Sequence, residues 1–430
     1  MNITGNKKNN TLNGTDGDDV ISGLGGKDTL NGKKGNDQLF GGNGNDVLRG
    51  GTGDNFFNGG EGNDTYYLTG RYENVEVGLG DDRIDLSSFS KGDGYLGVHF
   101  HAAAKGVFAI IDGEEDFGVI RIENGSEPEG LVEFKNLNNA LQLDYSKPEG
   151  GMGIDGTAYD DVFMIDPGEQ GWIQIKPGEG EDVIQIMGTT GTVRLDYSDM
   201  SDGIFANLKF GLIVDGGNGF SVDRIIGEGR AKELRGTDFD DVIYGSREDD
   251  RFILRQGDDF VAGGAGVDTI RYDRSGVDAV QVDLSKGTAT GVWNGQAFTH
   301  KLKNIENIRG SRADNDTLSG NFKDNQIDGK GGNDTIQGKG GNDVLIGGDG
   351  NDKFIFKNND GNDYIVDFNT SGSKEKISLK GVAEITSFND LMSSHISDIG
   401  GWAYIDDGAG LTITLQGVST ADLSNNDFVF

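Results

Sequence analysis

The 430-residue, 45.8 kDa chain carries 72 acidic against 38 basic residues, a formal charge of −34, and 74 glycines. That charge argues against a nucleic-acid partner, and the absence of cysteine removes disulfides as a source of stability. No apolar run approaches the ~18 to 20 residues of a membrane helix, and with 34% hydrophobic residues the chain is poorly placed to fold by burial alone.

From its first residues the sequence repeats every nine positions. Asn10, Asp19, Asp28, Asp37, Asp46, Asn55 and Asp64 occupy one position in successive copies of GGxGxDxUx, where U is a large apolar residue. Counting on by nines reaches Glu73 and then Asp82 in VGLGDDRID, so the first block is expected to span residues 1–90. Two nonapeptides make one turn of a flat parallel coil. Each carboxylate then recurs on the same edge every eighteen residues, while Leu12, Ile21, Leu30, Leu39, Leu48, Phe57, Tyr66, Val75 and Ile84 point inward. Glycines permit the tight turns, and the aspartates supply oxygens of the kind that close a calcium cage.

Residues 91–150 lose this beat. YLGVHF, GVFAIID, FGVIRIE and LVEFKN alternate as strands do, which predicts a small antiparallel unit or a broadened set of coil turns. Residues 151–233 keep it in part, with Asp161 and Asp182 in the repeat-like loops of GTAYDDVFM and PGEGEDVIQ. A second block over 234–275 restores the spacing at Asp241, Asp250, Asp259 and Asp268, with Ile243, Phe252, Val261 and Ile270 inward. A β insertion is expected at 276–310, and across its start IRYDRSGVDAVQVDL resembles the earlier RLDYSDMSDGIFANL, which hints at duplication. The third block, 311–368, carries Asp316, Asn325, Asp334, Asp343 and Asp352, then Asp363, with Leu318, Ile327, Ile336, Leu345 and Phe354 inward. Residues 369–430 read as a terminal cap, in which Ser387 to His395 is the best helix candidate and Ser387 with Asp390 a capping box.

These repeats resemble the repeats-in-toxin family, also called hemolysin-type calcium-binding proteins, best in GGNGNDVLR, GKGGNDTIQ, GKGGNDVLI and GGDGNDKFI. The resemblance implies an all-β fold of parallel β-roll (β-solenoid) blocks, interrupted by small β units and closed by a C-terminal β cap. It also implies multiple Ca2+ ions between stacked turns, each held by the Asp of one loop and backbone carbonyls of both. The ligands carried over are Asp19, Asp28, Asp37, Asp46, Asp64, Asp82, Asp241, Asp250, Asp259, Asp268, Asp316, Asp334, Asp343, Asp352 and Asp363. Asn10, Asn55, Asn325 and Glu73 depart from the pattern, and weaker or missing sites are expected there.

The ending LTITLQGVSTADLSNNDFVF resembles that of proteins exported by type I secretion, and MNITGNKKNN has no apolar stretch like a signal peptide's. The segment before that ending resembles the family's closing cap, although Lys374, Glu375 and Lys376 stand where an acidic residue is more usual. The resemblance therefore implies a bacterial protein handled by type I secretion machinery and found outside the cell or on its surface. Sites of the extracellular class bind calcium at ~10⁻⁴ to 10⁻³ M, so folding is expected on leaving the cytosol, driven by mass action.

The sequence has no HExxH, GxSxG, P-loop or cysteine nucleophile, and a non-enzymatic protein is expected. His99 and His101 would share a strand face and are read as polar positions ahead of a metal pair, while His300 and His395 suggest nothing. Trp172, Trp293 and Trp402 are read as core ahead of sugar-stacking platforms. A structural or adhesive component of a cell surface or matrix is expected. Head-to-tail self-association is its expected mode, because the first repeat starts near Gly5 with no capping element. The alternatives are a polysaccharide-modifying enzyme of epimerase or lyase type, its site within 91–233, and a binder of surface or matrix polysaccharide.

Overall fold

The computed structural model describes the chain except residues 71, 79, 87–88, 90–94, 100–106, 113–116, 125–126, 136–150, 169–171, 188–190, 216–221, 227–232 and 371–374. It divides into two compact units, Met1–Met200 with Phe210–Arg235, and Ser201–Lys209 with Gly236–Phe430. His101 and Lys374 lie outside the described residues.

Each nonapeptide supplies a short strand centred on its apolar residue, and the intervening glycine-rich loop reverses the chain. Thr335–Gln337 and Val344–Ile346 show the pattern, with Ile336 and Leu345 fully buried between partly exposed neighbours. Successive strands fall in opposite sheets, and strands eighteen residues apart pair in parallel. Thus Leu318 faces Ile336 in one sheet and Ile327 faces Leu345 in the other. Turns stack closely enough to require glycine: at Gly350 (φ +141°) a Cβ would lie 1.6 Å from the Gly332 carbonyl oxygen.

In the first unit one sheet runs in parallel from Asn2–Asn6 through Val20–Gly25, Gln38–Asn43, Asp54–Glu61, Tyr72–Glu76 and Tyr95–His99. It continues through Gly151–Thr157, Trp172–Gly178 and Thr192–Asp196 to Glu233–Arg235. The facing sheet stacks Thr11–Asn13, Thr29–Lys34, Val47–Thr52, Thr65–Tyr67 and Gly80–Asp85. Glu127–Lys135 then pairs in parallel with Gly80–Asp85, joins Phe117–Asn124 and Val107–Asp112 in an antiparallel meander, and hands over in parallel to Val162–Asp166. The described strands within 91–150 are therefore both things the sequence left open. They form an antiparallel unit in one sheet and a coil turn, Tyr95–His99, in the other.

The second unit repeats the device. Ile204–Asn207, Val242–Tyr244 and Phe260–Ala262 stack in parallel. Next come the antiparallel strands Gln296–Lys303, Thr288–Trp293 and Gln281–Asp283, after which parallel pairing resumes at Thr317–Ser319. The repeated sequence motif has matching roles: Leu195 and Ile270 point inward, Tyr197 and Tyr272 are buried, and Ile204 and Val280 each begin the next stack.

The core is a single row of side chains from each sheet. Every inward residue expected from the spacing is fully or almost fully buried except Leu12, which is half-buried. Phe57 and Tyr66 meet edge to face at 6.3 Å. Trp172 and Trp293 are buried, whereas Trp402 is 38% exposed. In the cap, Lys376–Gly381 lies between Lys353–Lys357 and Phe428–Val429, and Leu411–Leu415 extends the other sheet beside Gly361–Ile365. The helix forms as Phe388–Asp390 followed by a π turn, Leu391–His395. Ser387 Oγ accepts from the Asp390 N–H at 3.2 Å, but the returning carboxylate takes the Thr386 N–H and hydroxyl, one residue earlier than a capping box requires.

So thin a core tolerates little loss. Leu345→Ala should cost about 2–5 kcal/mol by chemical denaturation in saturating calcium, while its partly exposed neighbour Val344→Thr should stay within about 0.5 kcal/mol. Equal losses would contradict the inward assignment.

Candidate metal centre

The loops stack as the strands do, and the aspartates form two ladders. The backbone N–H of each donates to Oδ1 of the residue one turn on: Asp19 to Asp37 at 2.9 Å, Asp28 to Asp46 at 2.7 Å, Asp46 to Asp64 at 2.7 Å and Asp64 to Asp82 at 2.8 Å. The second unit continues with Asp241 to Asp259, Asp250 to Asp268, Asp316 to Asp334, Asp334 to Asp352 and Asp343 to Asp363, all within 3.0 Å. Asp161 to Asp182 obeys the same rule in the degenerate segment.

The other carboxylate oxygen is left over. In Asp28, Asp37, Asp46, Asp64, Asp82, Asp182, Asp268, Asp334, Asp343, Asp352 and Asp363, Oδ2 is buried without a hydrogen-bond partner. A buried anionic oxygen with no partner is strongly unfavourable, so each marks a place for a cation. The surroundings fit one. A Cβ placed on Gly23 would lie 2.3 Å from Asp28 Oδ2 and 2.6 Å from the Gly41 carbonyl oxygen. The Gly32 position has Asp37 Oδ2 and Gly50 O at 2.2 and 2.5 Å, and Gly329 has Asp334 Oδ2 and Gly347 O at 2.3 and 2.7 Å. These are small hollows walled by hard oxygen donors, one carboxylate with a carbonyl from the next turn, and hard oxygens select calcium over softer metals. Among the described residues no three His, Asp or Glu side chains converge on a metal, because backbone carbonyls supply the rest of the wall.

Burial governs the electrostatics. Desolvation, and then the neighbouring carboxylates of the stack, push Asp64, Asp334 and Asp363 up to about 8 and Asp82, Asp268 and Asp343 up to about 7. Asp37, Asp46 and Asp352 move up for the same first reason. A bound divalent cation supplies the missing countercharge, and the residues that would hold it are these aspartates with the carbonyls facing them.

Asp19, Asp241, Asp250 and Asp316 occupy the ladder but differ, as does Asp161. Each carboxylate is held by its own loop. Thr237 N–H and hydroxyl donate to the two oxygens of Asp241 at 2.8 Å, Ser246 does so to Asp250 at 2.6 and 3.2 Å, and Ser311 to Asp316 at 2.6 and 3.0 Å. Thr157 holds Asp161 likewise, and Thr15 gives both bonds to Asp19 Oδ2, leaving Oδ1 3.0 Å from the Met1 amino group. Correspondingly, burial raises Asp241 and Asp316 only to about 6.

The departures from the pattern have physical readings. Asn55 keeps the ladder by accepting from Asp37 at 3.1 Å but turns Nδ2 toward the hollow of Gly50, where an N–H repels a cation. Asn325 donates Nδ2 to the Glu306 carbonyl at 2.7 Å, filling with its own amide the gap between turns. Asn10 accepts the Asn6 N–H at 2.7 Å. Glu73 takes the N–H groups of Thr69 and Gly70 on one oxygen and leaves the other buried and unpartnered.

Two features escaped the sequence reading. His300, isolated in the chain, is fully buried with Nε2 3.2 Å from Asp259 Oδ2 and Nδ1 3.0 Å from the Tyr272 hydroxyl. Burial pushes the Asp259 carboxyl up and the His300 imidazole down. Its counterpart in the other duplicated segment is Asp223, which accepts from Tyr197 at 2.6 Å and from the Asp182 N–H at 3.1 Å. The second feature is the residue before each ladder aspartate. Asn36, Asn45, Asn315 and Asn333 each accept the N–H of the equivalent residue one turn on, at 2.9 to 3.1 Å for three of them and 2.6 Å for Asn315. The recurring ND or DD dipeptide was the available signal. His99, in turn, is engaged with Asp155 at 2.7 Å.

With folded values near 8 against 3.8 for the free side chain, the ion-free fold binds more protons than the unfolded chain. Its stability in chelator should be greatest near pH 4, fall as pH rises from about 4 to about 8, and level off above that. With calcium, which needs the ionised form, the trend should flatten or reverse. Thermal melting in chelator that improves from pH 5 to pH 9 would contradict the burial of unpartnered carboxylates.

The family comparison agrees with the geometry of these loops. The model of the RTX calcium-binding nonapeptide repeat (4 copies) matches residues 4–39, 40–70, 235–270, 312–345 and 328–356. No curated protein matches the chain. Among solved structures, the extracellular lipase LipA from Serratia marcescens is similar at 18% identity over 47% of this chain, with a TM-score of 0.21, and the match spans 41% of the lipase. The matched segments, which carry the orphaned oxygens of Asp28, Asp37, Asp46, Asp64, Asp268, Asp334, Asp343 and Asp352, are RTX calcium-binding nonapeptide repeats.

Proposed function

We propose that the protein is a secreted calcium-binding structural protein, exported with its repeats unfolded, folded by extracellular calcium, and active as an adhesive or scaffolding component of a cell surface or matrix. The observation that carries the reading is the row of buried, unpartnered Oδ2 atoms on stacked turns. Closing those turns without a cation strands an anion or forces a proton onto the carboxylate at each step, so folding and calcium binding are coupled. Sites of the extracellular class, with dissociation constants of ~10⁻⁴ to 10⁻³ M, stay empty in the cytosol and fill outside.

A structural role is supported by how the described residues are used: within each unit, repeats and meanders extend that unit's own sheets, as the cap does in the second. Contact with polysaccharide is supported by an outward row of rings in the second unit, Phe205, Tyr244 and Phe260, with centroids 5.9 and 5.7 Å apart. Self-association is the proposed mode of assembly. Light scattering and electron microscopy across a titration from chelator to ~10 mM calcium should record compaction and then ordered polymers. A folded protein that stays monodisperse and monomeric at high concentration would overturn the assembly and leave the calcium chemistry standing.

A further inference from the structure

We propose that each repeat block opens with a calcium-independent turn, latched by the second residue of its own nonapeptides, and that calcium loads only the turns that follow. The proposal rests on the calcium reading of the orphaned aspartates and assigns which loops take part.

Position two of the nonapeptide adopts one of two states in most loops of the three blocks; the loops of Asp82 and Asp259, where Gly78 and Arg255 lack positive φ while the aspartate Oδ2 has no hydrogen-bond partner, follow neither. In the loops of Asp28, Asp37, Asp46, Asp334, Asp343 and Asp352 it has positive φ: Leu24 +76°, Lys33 +83°, Gly42 +106°, Lys330 +76°, Lys339 +76° and Gly348 +90°. All six of those aspartates keep an unpartnered buried oxygen. In the loops that begin the blocks, position two is Asn6, Thr15, Thr237, Ser246 or Asn321, and in the loop of Asp316, one residue longer, Ser311 takes its place; none of these has positive φ. There its N–H donates to the ladder residue of the same loop, at 2.6 to 2.8 Å in every case. Where it is Thr or Ser the hydroxyl adds a second bond.

The chemistry explains the split. Left-handed backbone is accessible to glycine and costly for β-branched threonine, so a Thr holds the peptide with its N–H facing the carboxylate. Serine and asparagine favour the same local side-chain to backbone bonds. Two donors satisfy a buried carboxylate as a cation would, and an N–H aimed at the hollow opposes one.

The position of the latches gives them a role. In the three repeat blocks they come in consecutive pairs, Asn6 with Thr15, Thr237 with Ser246, and Ser311 with Asn321, whereas Thr157 latches Asp161 singly in the degenerate segment; consecutive nonapeptides lie on opposite edges. Each pair therefore completes one whole turn at the N-terminal end of a block. Such a turn needs no ion to close and offers formed carbonyls to the next, as Asp19 O does to the Gln38 N–H and Asp316 O to the Thr335 N–H, both at 2.9 Å. Helical and solenoid growth is limited by its first turn, and a latched turn removes that step from calcium's control.

Two full-length variants test the assignment, with ion counts from native mass spectrometry during calcium titration and hydrogen exchange in chelator. Lys330→Thr/Lys339→Thr installs latches at Asp334 and Asp343. It should lose the ions at those two loops while keeping a wild-type circular dichroism spectrum in calcium. Thr237→Gly/Ser246→Gly removes a starter turn. It should gain ions and lose the slow exchange in chelator that wild-type Thr237 to Ile253 should show. An unchanged ion count in the lysine variant, in a protein that otherwise binds calcium, would overturn the latch alone. Wild-type protein that binds no calcium would overturn the calcium reading and the latch with it.

Discussion

Everything in this fold depends on how a carboxylate is satisfied when it is buried at the edge of a stack. The ladder fixes one oxygen of each aspartate on the backbone of the preceding turn, as Asp28 N–H to Asp46 Oδ1 shows at 2.7 Å, and leaves the second without a protein donor. The strands between the loops are mostly short and bury one apolar row per sheet, so the core contributes little per turn. The edges therefore decide whether a turn closes, and in the reading proposed above the demand is met by a cation or by a latch from the same loop. A charge of −34 adds repulsion that an ion-free coil must also bear.

The interruptions obey the same constraint. An antiparallel meander widens one sheet while the other keeps its parallel register, as Tyr95–His99 does between Tyr72–Glu76 and Gly151–Thr157. Where a meander displaces the nonapeptide, another residue takes up the ladder. Asp223 receives the Asp182 N–H, Glu306 receives that of Asp268 at 3.0 Å, and His300 stands beside Asp259. Insertions of this kind lengthen the chain without breaking the stack, and the duplicated motif shows the solution used twice.

The nine-residue beat was enough to place the inward rows and the ladder aspartates, because both follow from strand alternation and a constant loop length. Leu12 is less buried than the rule implies because Thr11–Asn13 has a described sheet neighbour on one side only. The pairing order of the meanders was not legible: Gly80–Asp85 meets Glu127–Lys135 before Val107–Asp112, a long-range choice that local alternation does not encode. His300 was missed for the same reason, since a hairpin returns it to Asp259 across a gap with no periodic signal. The latch was present in the letters, Thr or Ser against Gly or Lys at position two, but its meaning needed the peptide orientation that φ reveals.

The most direct measurement is a crystal structure grown in calcium, with anomalous data that locate the ions. The account predicts anomalous peaks between Asp28 Oδ2 and the Gly41 carbonyl, between Asp37 Oδ2 and the Gly50 carbonyl, and between Asp334 Oδ2 and the Gly347 carbonyl. Hollows that hold only water, beside the same stacked carboxylates, would contradict the claim that a cation closes these turns.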